Sequence, residues 1–193
     1  MKSKDGFVQA YNAQAVVDGE AQIIVAHDVT QSASDCGQLI PMTDAIEINL
    51  GRKPEQLSAD AGYCSEANLE ALENRNIDAY VATGRARDAV AGTVTDEPTT
   101  ARPSPEPEPA GEPTRVEQMR AKIKAGGHAS PYRLRKQLPE PVFGQIKQAR
   151  GFRQFVLRGF EKVRAEWAIV CTVHNLLKLA QRRSLSKTLP MAA

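Results

Sequence analysis

Breaking or joining phosphodiester bonds asks for carboxylates that hold divalent cations, with basic groups beside them to hold the nucleic-acid backbone. Asp60, Glu140 and Lys147 are of the right types for that work. Asp60 stands where the short stretch EQLSAD enters Ala61-Gly62-Tyr63. The pattern predicts a buried strand ending near Asp60. A carboxylate at the rim of a sheet packs poorly and is well placed to hold a hard cation. Its plainer role would be to close the turn or cap the next helix. Glu140 lies in LPEPVFGQIKQARGF. Pro139 suits the first turn of a helix, and there the helix dipole favours an anion, so Glu140 need do no chemistry. Yet it is one of only four acidic residues after position 113. Lys147 follows seven residues on, two helical turns away on the same face, and Gln145, Gln148, Arg150 and Arg153 add a polar, basic surface. In phosphodiester transfer two Mg²⁺ ions sit about 3.5–4 Å apart. One activates the attacking water or 3′-hydroxyl and the other stabilises the leaving oxygen. Spacing alone leaves open whether Asp60, Glu140 and Lys147 meet.

The elements that must position these groups follow from periodicity and turn chemistry. FVQAYNAQAVV (7–17) and QIIVAHDVT (22–30) read as strands joined by an Asp-Gly turn at 18–21, which predicts a β-hairpin. From Asp35 to Leu50 the apolar residues recur at roughly helical spacing, with Asp35 as the N-cap and Gly51 as the C-cap. Ser65 should cap a helix over SEANLEALENRN, and IDAYVA (77–82) should be a further strand. Strand–helix–strand order implies a right-handed crossover in a mixed sheet. Further on, helices are expected over Val116–Ala125, over part of 131–150 and over Glu161–Arg182. On the last of these Trp167, Val170, Cys171, His174 and Leu177 share a face. His174 reads as a hydrogen-bonded core histidine, His27 as a sheet residue, and Trp167 with Phe143, Phe152, Phe155 and Phe160 as core.

Composition sets the outer limits. The 193 residues, 41% of them hydrophobic, suit one modest globular domain with some irregular chain. No apolar run reaches eighteen residues, so no membrane span is expected. The N-terminus lacks the apolar core of a signal peptide. Three scattered cysteines argue against a disulfide framework or a zinc site and for a reducing cytosol. The net charge of +2 hides an asymmetry. Residues 1–113 hold 8 Lys/Arg against 19 Asp/Glu, a formal −11, and residues 114–193 hold 17 against 4, a formal +13. Such a cation points to nucleic acid, or else to pairing between the two halves. Six of the twelve prolines fall within 85–113, which reads as a disordered linker or insertion.

YNAQAVVD (11–18), IIVAHDVT (23–30), ADAGY (59–63), YRLRKQLPEPVFGQIKQARGF (132–152) and FVLRGFEKVRAEWAIVCTVHNLLKL (155–179) together resemble DDE-type transposases of bacterial insertion sequences. The resemblance covers nearly all the chain except the Pro-rich stretch. It implies an α/β fold, an RNase H-like mixed sheet flanked by helices, with an Asp–Asp–Glu triad that binds Mg²⁺ or Mn²⁺. Residues 1–84 would be the strand-rich first part of the core and 85–115 a disordered Pro-rich insertion. Residues 116–183 would be the helical basic part and 184–193 a tail. By resemblance Asp60 is the second Asp of the triad, and Tyr132, Arg135, Glu140 and Lys147 form the late Tyr–Arg–Glu–Lys pattern. Arg135 and Lys147 would approach DNA phosphates, with Arg150 and Arg153 adding to that surface. The partners implied are DNA (transposon ends and target) and further copies of the chain, in the nucleoid-associated cytoplasm. The family's first Asp precedes the YNAQ strand, and neither Asp5 nor Asp18 matches its place. The expectation is therefore an N-terminally truncated copy with little or no strand-transfer activity, or else a catalytically inactive DNA-binding remnant. Two more departures are the four residues between Arg135 and Glu140, where three are usual, and Pro139 directly before Glu140.

Overall fold

The computed structural model describes residues 2–3, 6–7, 10–84, 113–126, 132 and 138–188. Arg135, His128, most of the Pro-rich stretch and residues 189–193 of the expected tail lie outside them. Strands β1 (Lys2–Ser3) and β2 (Gly6–Phe7) form a small antiparallel pair. The expected long first strand is thus shorter: β3 spans Asn12–Val17, and it pairs antiparallel with β4 (Ile24–Thr30). The turn between them is held by Asp18. Its Oδ2 accepts from the backbone N–H groups of Glu20 (3.0 Å) and Ala21 (2.8 Å), and its Oδ1 accepts from that of Ile23. Asp18 is therefore fully occupied as a turn residue.

A 3₁₀ turn (Cys36–Gln38) leads into helix α1 (Leu39–Leu50). Gly51 ends it at φ 68°, its N–H donating to Glu47 O at 2.8 Å, the left-handed cap expected there. Strand β5 (Gln56–Ala59), helix α2 (Glu66–Asn74) and strand β6 (Asp78–Val81) follow, with β5 and β6 parallel. Ser65 caps α2 as expected, its hydroxyl accepting from Asn68 N at 3.1 Å. Helix α3 (Arg115–Gly126) lies against α2 and β6. Helix α4 (Pro139–Gly144) is six residues long and widens at once into a π-helical turn, Gln145–Ala149. Helix α5 (Phe160–Thr188) is longer at its C-terminal end than its apolar pattern suggested.

Alternation along β3 decides the layers. Ala13, Ala15 and Val17 face the cluster of Val142, Ile146, Val163, Trp167 and Cys171, so α4 and α5 cover that side. Val16 joins Ala26, Met42 and Ile46, so α1 covers the other. A separate core of Leu39, Ala59, Leu69, Leu72, Ile77, Ala79 and Val81 joins β5 and β6 to α1 and α2. His174 is fully buried, its Nε2 toward Gln22 O at 2.9 Å and its Nδ1 toward Arg150 Nη1 at 3.0 Å. It is the hydrogen-bonded core histidine its apolar helix face implied, and Trp167 and its neighbouring phenylalanines are core as expected.

The fold is compatible with α/β, and the expected single mixed sheet is not formed among the described residues. Among the described residues there are three two-stranded sheets, β1–β2, β3–β4 and β5–β6. Among the described residues no strand bridges β3 and β5. A groove of about 650 Å³ lies between them instead.

Candidate metal and nucleic-acid site

Asp60 ends β5 and opens the 3₁₀ turn Ala61–Tyr63, its carbonyl accepting from Tyr63 N at 3.1 Å. This is the rim position the sequence implied, and Asp60 is exposed there. The turn folds back over Asp35. An ideal Cβ on Gly62 would stand only 3.0 Å from Asp35 Oδ2, so glycine is what lets the backbone approach. Asp35 occupies the N-cap position of the 3₁₀ turn before α1, but its carboxylate makes no cap bond. Instead Asp35 Oδ1 accepts from Asn12 Nδ2 (2.5 Å) and Gln14 Nε2 (2.9 Å), and Tyr63 Oη is hydrogen-bonded to Gln14 Oε1. Burial, and then the nearby Asp35 carboxylate, push the Tyr63 phenol up to about 12, with the Gln14 bond pulling the other way. Tyr63 therefore stays neutral and acts as a hydrogen-bond donor. Asp35, Asp60 and Tyr63 all line one end of the groove between β3 and β5.

A second recess, about 460 Å³, lies on the other side of the same turn. Ala61, Arg120, Lys124 and Tyr132 line it, with Ala82, Thr83, Gly84 and Ile123. The turn 60–63 thus contributes Asp60 to the groove end that Asp35 also lines, and Ala61 to a recess with two cations, Arg120 and Lys124. Tyr132 shares this recess with Arg120, Lys124 and Ala61. Arg120, Lys124 and Asp35 were not singled out as site residues from the sequence. Arg120 and Lys124 lie one helical turn apart on α3 (i, i+4), a signal the sequence carried. The folding of Asp35 onto residues 12, 14 and 62 has no local signature.

Glu140 is exposed in the first turn of α4. Its neighbours Leu138, Pro139 and Phe143 line the groove that Asp60 lines, whereas Glu140 itself is not among the lining residues. The seven-residue spacing from Glu140 to Lys147 assumes α-helical turns throughout. The π turn at 145–149, closed by Arg150 N to Gln145 O at 3.1 Å, breaks that periodicity. Lys147 Nζ stands 5.6 Å from the Phe143 ring centroid. Arg150 faces inward to His174, and Arg153 Nη2 donates to Gln148 Oε1 at 2.5 Å. Of the expected DNA-contacting residues, Lys147 and Arg153 are exposed and Arg150 is part of the core boundary.

The donor set suits a hard cation only in part. Mg²⁺ commonly takes one or two carboxylates and completes its shell with water and substrate phosphate oxygens. Asp60 and Asp35, sharing the groove end, meet that description. No group of three or more His, Cys, Asp or Glu that could hold a metal forms among the described residues.

Residues 108–180 match the family model of the transposase DDE domain. This stretch, from the end of the Pro-rich segment through most of α5, is thus similar to a DDE-type transposase region. It takes in α3 with Arg120 and Lys124, Tyr132, Glu140 and Lys147. No curated protein matches the chain, and neither does any solved structure. No helix among the described residues is long and apolar enough to cross a membrane.

Proposed function

We propose that the chain acts on DNA as a transposase, by metal-dependent cleavage and strand transfer at transposon ends. The observation that carries this reading is the match of residues 108–180 to the transposase DDE domain, set beside a turn whose exposed Asp60 adjoins a basic recess. In this reading Asp60 and Glu140 hold Mg²⁺ or Mn²⁺, and Asp35 steadies the turn that carries Asp60. Tyr132, Arg120 and Lys124 take the DNA backbone on one side, with Arg135, Lys147 and Arg153 extending the surface and Arg150 turned inward to His174. The bound cation would polarise the scissile phosphate and activate the attacking oxygen. The β3–β4 and β5–β6 sheets are then the two parts of an RNase H-like core. Residues 1–84 and 116–183 contribute to it from either side of a Pro-rich insertion.

A second reading is a DNA-binding remnant without catalysis. It is favoured by one observation: Pro139 and Phe143 face the groove, while Glu140 between them does not line it. Nicking of supercoiled plasmid with Mg²⁺ or Mn²⁺, beside Asp60→Ala and Glu140→Ala, separates the two. Nicking lost in both variants supports the transposase. Nicking absent from the wild type, with DNA binding kept, supports the remnant. Nicking that survives both substitutions contradicts the assignment of the carboxylates.

A further inference from the structure

His174 of α5 is wholly buried and yet holds a cation. Arg150 Nη1 lies 3.0 Å from its Nδ1, and its Nε2 lies 2.9 Å from Gln22 O. These partners fix the tautomer. A carbonyl only accepts, so Nε2 carries the hydrogen; a guanidinium only donates, so Nδ1 offers its lone pair. The ring is therefore neutral. Arg150 is held inward just after the π turn, while Lys147 and Arg153 of the same segment are exposed. The ring has little freedom to move. Asn175, next along α5, bonds Ile24 N and Ile24 O at 2.8 Å each, and Lys178 Nζ donates to Gln22 Oε1 at 2.8 Å. Burial first, and then the Arg150 and Lys178 charges, disfavour a proton on His174, against the pull of the Gln22 carbonyl. The carboxylates of the β3–β4 turn are engaged elsewhere. Asp18 accepts from the N–H groups of Glu20, Ala21 and Ile23, and Glu20 stands 3.7 Å from Arg182.

We propose that His174 gates Arg150: when the imidazole becomes protonated, Arg150 leaves the interior and joins Lys147 and Arg153 at the surface, where it takes a phosphate of DNA. Protonation turns Nδ1 from an acceptor into a donor. Two N–H groups and two positive charges then face each other across the 3.0 Å contact. One side must withdraw. The ring is walled in and keeps its Nε2–H bond to Gln22 O, which a positive charge strengthens. Arg150 is only half-buried, and its long stem lets the guanidinium reach water without moving the backbone. Water follows into the space it leaves and accepts from Nδ1–H. The coupling is reciprocal. DNA that holds Arg150 outside favours the protonated ring, so binding takes up a proton. The release of Arg150 does not depend on the DNA reading given above; its use does.

The test uses the full chain, isotopically labelled, with the Arg150 guanidinium signals assigned through Arg150→Lys. Between about pH 7.5 and about pH 5, the Arg150 signals should lose their protection from water exchange on the same curve as the His174 imidazole titrates. A fluorescent duplex oligonucleotide then reads the use of the released cation. On acidification the slope of log K against log [salt] should steepen by about 1 more in the wild type than in His174→Gln or Arg150→Ala. In those variants only the other histidines respond. Should His174→Gln fail to fold, the Arg150 signals and Arg150→Ala decide. Arg150 signals that stay protected while His174 titrates overturn the proposal, and so does a His174 that stays neutral until the chain unfolds. Equal steepening in the wild type and His174→Gln overturns it as well. Released Arg150 signals with no duplex bound at either pH uphold the gate and overturn its use on DNA.

Discussion

At the scale of single residues, the groups that matter most are those whose partners come from far along the chain. Trp167 donates to Gln14 O while its ring packs against Phe143, Phe152 and Phe155. Trp167→Phe removes the bond and some ring area together, and urea unfolding should show a loss of about 2 kcal/mol. His174 gives a pH signature. Burial chiefly lowers its pKa, and the Arg150 and Lys178 charges add to this against the Gln22 carbonyl bond. His27 is lowered too, first by burial. For both, the unfolded chain binds more protons between the lowered folded pKa and the ordinary value of about 6.5. Stability is therefore full above that value and falls as pH drops below it. Melting curves at successive pH values from neutral to about 5 should show a falling midpoint, with a shallower fall in His174→Gln. A midpoint that rises on acidification would contradict the assignment of neutral, buried histidines.

At the scale of elements, local chemistry settles what it can reach. Ser65 caps α2 because a serine precedes a polar-apolar helical pattern. Ser65→Ala should cost about 1 kcal/mol, with Ser65→Asp recovering most of it in the same denaturation series. The hairpin, α1 with its Gly51 cap, the β5–α2–β6 unit, α3 and α5 were all legible from turn residues and periodicity. Three things were not. The strand expected from residue 7 begins at Asn12, where pairing with Thr30 starts, since periodicity cannot show where pairing begins. The π turn after α4 is a matter of backbone bonding that apolar spacing does not report, so the shared face of Glu140 and Lys147 was inferred too simply. The junction of the two sheets depends on whether a strand lies between β3 and β5, which neither strand's own sequence states. At the site, Asp60 and its turn were readable from ADAGY. Asp35 read as a helix cap, because only the tertiary fold brings it to Asn12, Gln14 and Gly62.

At the scale of the whole molecule, the opposed charges of the two parts are used twice. Some pair internally. Arg115 meets Glu70 and Glu73, both at 3.2 Å, Lys122 meets Asp78 at 2.5 Å, and Arg164 meets Asp28 at 2.8 Å. These contacts dock the basic helices onto the acidic part, and each surface pair contributes little by itself. Arg120 and Lys124 face the recess beside Asp60 instead. DNA affinity should fall steeply with salt, log K against log [salt] being linear, and Arg120→Ala and Lys124→Ala should each reduce the slope by about 1. Unchanged slopes would place the DNA elsewhere. The central claim, that the turn carrying Asp60 is where a divalent cation sits, is tested most directly by titrating Mn²⁺ into the isotopically labelled chain and mapping paramagnetic broadening of its amide signals. Broadening is expected to centre on residues 60–63, to reach Asp35 and the start of α4, and to be abolished by Asp60→Asn. Broadening that is centred elsewhere, or that persists unchanged in Asp60→Asn, would contradict it.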